Sequence, residues 1–347
     1  MTHLLTASRL KVWQACPRQH HYRYELARVP LATSRALSLG TATHAGLEAW
    51  WRAVEDHAAS YALPAALAAA EAAYPQHEGD DPYAAALLRA LLTAYDARWS
   101  AWALTVTVLG VEVPFTSVLR HPTLDMSART WRVAGKIDVL VRLEDGRVAI
   151  IEHKTTSQDA GAGSDYRRKL TLDPQVSTYF DGAEALGHEA DLCLYDVLRK
   201  PSIKPLLATP PDKQRRKADG TLYANQRERD ETPAEYEQRL LLAIMEEPDR
   251  YLVHAEIVRS DAERENHRFA LWHAVRAIEE GRVALARARG DVRAVPQHAH
   301  ACLAYGSPCA YLPVCEGTAT IDDATLYARL DSPHVELMTN GTNEGTT

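Results

Sequence analysis

The sequence predicts an α/β protein with a central mixed sheet flanked by helices. Three observations carry that expectation. The first third is helical in pattern and rich in alanine; at about residue 105 the chain changes to segments rich in Val, Ile and Thr separated by short turns; from Pro174 onward helix and strand patterns alternate. At 347 residues, with 46% apolar and 24% charged, the chain suits one large domain or two moderate ones with a sizeable core.

Residues 8–26 read as an amphipathic helix with Leu10, Trp13 and Tyr24 as core candidates, and residues 1–30 form a first unit. A second helix begins near Thr43 and carries His44, Leu47, Trp50 and Trp51. It opens a helical subdomain, 31–104, whose alanine-rich stretch breaks at Pro75 and around Gly79–Pro82. The core, 105–206, contains strands Thr105–Leu119, Trp131–Leu143 and Arg147–His153, a helix Pro174–Leu186 and a strand Ala190–Leu198. Residues 207–294 hold a charged segment, 209–231, read as a mobile loop. Helices at 232–247 and 260–289 follow, with a strand Tyr251–Val258 between them. A cysteine-bearing segment, 295–320, precedes a tail, 331–347, whose composition predicts disorder.

Several function classes are excluded. The N-terminus lacks the apolar run of a signal peptide, and no stretch approaches the roughly 18 apolar residues of a spanning helix. No GxxxxGK[ST] is present, so the chain has no nucleotide-driven motor of its own. Five cysteines do not make a secreted disulfide framework, which favours a reducing cytoplasm. With a net charge of −7, any nucleic-acid site must be a local basic surface.

The stretch from Gly135 to Lys154 carries the chemistry. Two apolar strands meet at a turn, and each holds a carboxylate, Asp138 and Glu152, inside an otherwise buried pattern. An unpaired carboxylate there costs several kcal/mol, which a divalent cation removes. A three-residue loop, Glu144-Asp145-Gly146, with Gly146 left-handed sets Asp138 opposite Glu152, about 5 Å away. A two-residue loop instead places them on opposite faces. Glu152 and Lys154 share a face in either case. Two carboxylates suit Mg²⁺ or Mn²⁺, and a neighbouring ammonium suits the charge that develops when a phosphodiester is hydrolysed. The plainer alternative is a solvent-facing Asp and a Glu–Lys pair on an edge strand.

At these residues the chain resembles the PD-(D/E)XK nucleases, in particular the RecB-like branch that includes CRISPR-adaptation nucleases and many phage exonucleases. The matching elements come in the family's order: Gly40-x-x-x-His44, Gly135-x-x-Asp138, Glu152-His153-Lys154 and Gln175-x-x-x-Tyr179. The resemblance implies a restriction-endonuclease-like core in which His44, Asp138, Glu152 and the backbone carbonyl of His153 bind metal. Lys154 is then catalytic, and Gln175 and Tyr179 face the active site from a helix.

Four of the five cysteines, Cys16, Cys302, Cys309 and Cys315, are the number that closes a [4Fe–4S] or a structural zinc site; Cys193, between two leucines, reads as a buried hydrophobe. The spacings are loose for a zinc ribbon, and the family branch has one cysteine before the core and three after it. The resemblance therefore implies an iron–sulfur clasp joining both ends of the chain, with structural zinc as the alternative. For phosphate contacts the candidates are Arg9, Lys11, Arg18, Arg23 and the Lys213–Lys217 cluster, while Tyr22 and Tyr24 suit core packing better than base stacking. The expected function is metal-dependent DNA exonuclease activity on single-stranded or end-containing DNA in recombination or repair. The competing reading is a non-cleaving module that holds DNA ends for a helicase or CRISPR-adaptation partner.

Overall fold

A computed structural model describes residues 2–32, 35–74, 81–304 and 307–337. In chain order, the N-terminal strand β1 (His3–Leu5) leads into helix α1 (Ala7–Ala15), α2 (Pro17–His20) and a π-helical turn, His21–Glu25. The helix expected over 8–26 is therefore interrupted. Pro17 has no N–H to donate, so the helix stops at Cys16, whose extended backbone lets Pro17 start α2. A short strand β2 (Arg28–Pro30) precedes α3 (Arg35–Glu55), α4 (Ala62–Ala73) and α5 (Pro82–Ala103). The helix carrying His44 thus starts eight residues before Thr43; of the break anticipated at Pro75 and around Gly79–Pro82, residues 75–80 lie outside the described residues, while Asp81 caps α5 and Pro82 opens it.

The sheet strands are β3 (Thr107–Arg120), β4 (Ser127–Arg142) and β5 (Val148–Thr156). Helices α6 (Asp165–Thr171) and α7 (Pro174–Ala185) come next, followed by β6 (Leu192–Arg199), α8 (Pro233–Glu246), α9 (Pro248–Tyr251), β7 (Leu252–Ile257) and α10 (Asp261–Arg287). The order β1-β4-β5-β6-β7, with β3 on the other edge of β4, makes a mixed six-stranded sheet in which β1–β4 and β5–β6 are parallel. Beyond it lie β8 (Leu303–Ala304), β9 (Ser307–Pro308), α11 (Leu312–Glu316) and β10 (Tyr327–Arg329), which pairs with β2.

Both faces of β5 are covered, which is why its sequence reads as an apolar run rather than an alternation. Ala149 and Ile151 face a core built from α3, α4 and α5 around Trp50, Trp51 and Tyr95, while Val148 and Ile150 face α7 and α10.

The ends of the chain meet. Arg18 donates to the Val295 carbonyl at 3.0 Å, Tyr22 packs on Tyr311, and β2 joins β10. Residues 331–337, placed by composition at the head of a disordered tail, pack back onto this region: Glu336 accepts from the Thr6 hydroxyl at 2.6 Å, and His334 is buried against Tyr24. Residues 338–347 lie outside the described residues. The charged segment 209–231 is irregular but internally tied, with a bridge between Arg216 and Leu222 and a Glu231–Arg239 ion pair at its end.

Candidate active site

The turn after β4 settles the register. Arg142 pairs with Val148, the Leu143 N–H reaches the Arg147 carbonyl at 2.8 Å, and the Gly146 N–H reaches the Leu143 carbonyl at 2.9 Å. Gly146 sits at φ +90, so the loop is the three-residue kind. Continuing the ladder past its last pair, Val139–Ile151, sets Asp138 against Glu152. The strands part there, and β5 stays with β6 as far as Thr156–Arg199. On that edge of β4, β1 pairs with 131–133 and β5 with 139–142, so among the described residues no strand pairs with 134–138. Asp138 stands in this notch.

The side chains of the notch fall into two bonded groups, one around Asp138 and one around Glu152. Asp138 Oδ2 accepts the His153 backbone N–H at 2.9 Å and lies 3.7 Å from His44 Nδ1. Glu152 Oε1 accepts from Lys154 Nζ at 2.6 Å and from Gln175 Nε2 at 2.8 Å. Lys154 Nζ also donates to Gln175 Oε1 at 3.0 Å, and Gln175 Nε2 donates to the Tyr179 hydroxyl at 2.7 Å. Gln175 is at the first turn of α7, where Asp173 caps the helix, and Tyr179 is one turn on, so both reach the same cleft. Glu152 Oε2 is buried with no partner.

A family model of the PD-(D/E)XK nuclease superfamily matches residues 4–316. The chain belongs to that superfamily. Membership implies a metal-dependent nuclease that cleaves phosphodiester bonds. No curated protein matches the chain. No helix among the described residues is long and apolar enough to cross a membrane.

The residues present fit the divalent cation such nucleases use. Among the described residues no three His, Cys, Asp or Glu side chains are already gathered as a metal-binding group. In the notch the carboxylates are instead engaged with protein donors, and the orphaned Glu152 oxygen is the atom a cation would complete. Burial and the nearby Asp138 carboxylate push Glu152 up, to about 7, although Lys154 pulls the other way. Burial lowers Lys154, but Glu152 outweighs it, and the ammonium is held above its ordinary range. Burial and His153 depress His44 to about 4, so its imidazole is neutral and free to ligate. A ligand must be deprotonated to bind metal. Glu152 is largely protonated below pH 7 and ionised above it, so the rise in melting temperature produced by Mn²⁺ is expected to grow between pH 6 and pH 8. Calorimetric melts with and without the ion check this; a shift that is flat or shrinks with pH contradicts it.

The glycine of Gly135-x-x-Asp138 has a packing reason. A Cβ there would lie 2.5 Å from the Phe115 ring and 3.2 Å from Tyr179, and Gly182 on α7 meets the same ring. Phe115 thus clamps β4 to the helix carrying Gln175. Gly135→Ala is expected to destabilise the protein by about 1–3 kcal/mol, read from chemical unfolding, as overpacking does.

Cys16, Cys302, Cys309 and Cys315 line one small cavity, together with Gln19, Gln297 and Tyr311. Burial raises the Cys309 and Cys315 thiols. Cys193 is fully buried in β6, as its flanking leucines imply.

Among the basic candidates, Arg9 is corrected: it is buried, pairs with Glu25 at 2.5 Å and donates to His20, so it serves the fold and cannot reach DNA. Tyr22 and Tyr24 are buried, in keeping with core packing. The sequence reading missed Glu112. It lies opposite Asp138 on β3, at φ +52, and pairs with Lys136. It also missed Asp196, although an acid inside the apolar Leu-Cys-Leu-Tyr-Asp-Val-Leu run was a visible signal.

Proposed function

We propose that the chain is a metal-dependent DNA exonuclease acting on single-stranded or end-containing DNA in recombination or repair. The observation that carries this reading is the buried Asp138 and Glu152, with half-buried Lys154 beside them and an unpartnered Glu152 oxygen, at the notch between β4 and β5. Asp138, Glu152 and His44 would hold Mg²⁺ or Mn²⁺, with the His153 carbonyl as a further oxygen. When bound, such a cation supplies a nucleophilic water and neutralises charge on the scissile phosphate. Lys154 keeps its ammonium where negative charge develops. Gln175 bridges Lys154 and Glu152 and holds both at fixed rotamers, and Tyr179 steadies Gln175. Preference for free ends, and for DNA undergoing repair, rests on the RecB-like motif order.

The test is incubation with end-labelled single- and double-stranded DNA and with closed circles, in Mg²⁺ or Mn²⁺ and in excess EDTA. Progressive shortening of ended DNA with metal, intact circles, and no reaction in EDTA are expected. Cleavage in EDTA overturns the metal-dependent site; cutting of circles overturns the exonuclease assignment.

For the four thiols that line this cavity we infer a [4Fe–4S] cluster, with zinc as the alternative. The support is the soft donor set around one cavity where the two ends of the chain meet. Anaerobically purified protein is expected to be brown with close to four irons per chain. Serine at any of the four should bleach it, whereas Cys193→Ser should not. A colourless protein containing zinc refutes the iron assignment; bleaching by Cys193→Ser refutes the choice of thiols.

A further inference from the structure

Behind the notch lies a second polar row whose side chains take no part in the chemistry above. His153 on β5 is the parallel partner of Asp196 on β6, and Asp196 is the antiparallel partner of His254 on β7, so three ionisable side chains stand abreast on adjacent strands. Asp196 is 0% exposed, on a face where the same strand buries Leu194 and Leu198 beneath α3 and α5. Burying a carboxylate costs several kcal/mol, and a well-packed apolar pair would serve the fold as well or better. Contacts hold the charge in place. His153 Nδ1 lies 3.0 Å from Asp196 Oδ2, and His254 Nε2 lies 3.4 Å from Oδ1. Trp99 stacks flat on His254 with ring centres 3.6 Å apart. Burial pushes the Asp196 carboxyl up, but the two imidazoles outweigh it and keep it far below its usual range.

His153 is therefore gripped from both sides. Its backbone N–H donates to Asp138 on β4, and its imidazole N–H donates to Asp196 on β6. It stands between Glu152 and Lys154, where β5 has already left β4, so Asp138 from β4 and Asp196 from β6 hold this stretch of β5 where the β4 ladder no longer does. The same ring meets His44 edge-on, with centroids 6.1 Å apart. We propose that Asp196 is a positioning residue for the cation site: through the His153 imidazole it fixes the placement of Glu152, Lys154 and His44. The assignment rests on the metal-dependent reading of the notch.

The test compares Mn²⁺ binding to the full chain, followed by electron paramagnetic resonance, with thermal unfolding of the same samples. The double variant His153→Leu/Asp196→Leu replaces the buried polar pair by an apolar one. It is expected to melt no lower than wild type, yet to lose about 10–100-fold in Mn²⁺ affinity, as loss of an outer-shell partner does. Asp196→Asn keeps an oxygen to accept from His153 and should retain near-wild-type affinity. Wild-type affinity in the double variant overturns the proposal, as does a loss in Asp196→Asn as deep as in the double variant. Failure of the double variant to fold assigns the pair to the fold and overturns it too. Wild-type protein that binds no Mn²⁺ is a separate result, and it overturns the metal-dependent reading itself.

Discussion

Lys154→Ala is expected to lower kcat/KM for DNA cleavage by about 10²–10³-fold, the usual effect of removing one group that stabilises transition-state charge. The fold should survive, because Gln175 still donates to Glu152 at 2.8 Å, and Glu152, already pushed up by burial, can take a proton once its ammonium partner is gone. Asp138→Asn should be at least as damaging to cleavage while sparing the structure. The amide keeps an oxygen to accept the His153 N–H and loses only the charge that a cation needs. Steady-state cleavage of a labelled single strand, alongside circular-dichroism melts, separates the two effects. Wild-type-like turnover in either variant would remove the notch from consideration as the active site.

Glu25→Ala is expected to give the largest loss of stability, about 3–5 kcal/mol, because it leaves a buried charge without its partner. Glu25 accepts from Arg9 at 2.5 Å and from Arg282 at 2.9 and 3.0 Å. Both guanidinium groups also stack on Trp131, at 4.6 and 5.0 Å. Without the carboxylate, two like charges would face each other across one ring, one of them 3% exposed. The effect has a pH signature. Burial pushes Glu25 up, but Arg282 and Arg9 outweigh it, so its folded value lies below the ordinary 4.5. Its contribution is then present in full above pH 4.5 and disappears as pH falls through the folded value. Urea unfolding of wild type and variant at pH 7 and at pH 3 measures this. A difference that persists undiminished at the lower pH would mean that lost packing, not lost charge, is responsible.

Much of the fold was legible because its signals are local. Apolar runs bounded by turn residues located β3 to β7 to within a few residues, and the helical patterns read from 174, 232 and 260 begin within one residue of α7, α8 and α10. The hairpin was legible for the same reason, but its register was not: a two- or a three-residue loop fitted the turn, and the pairing of Leu143 with Arg147 decided which faces meet. Other elements left no such trace. The strand β1 is only three residues long, and its partner, Trp131–Val133, is far along the chain. Arg9 looks like a surface cation until Glu25 and Arg282 are seen to enclose it.

The sequence by itself determined the α/β class, the shared face of Glu152 and Lys154, and the helical spacing of Gln175 and Tyr179, and it narrowed the hairpin carrying Asp138 and Glu152 to two loop lengths. Each of these follows from a period or a turn within a few residues, where backbone geometry leaves little choice. Only the tertiary structure decided that β4 and β5 separate beside Asp138, that β1 stops short of the opening, and that Asp196 holds His153 from the strand behind. These depend on strands and helices meeting across tens to hundreds of residues. Which buried charge finds which partner is set there by the packing of whole layers, and no local pattern encodes it.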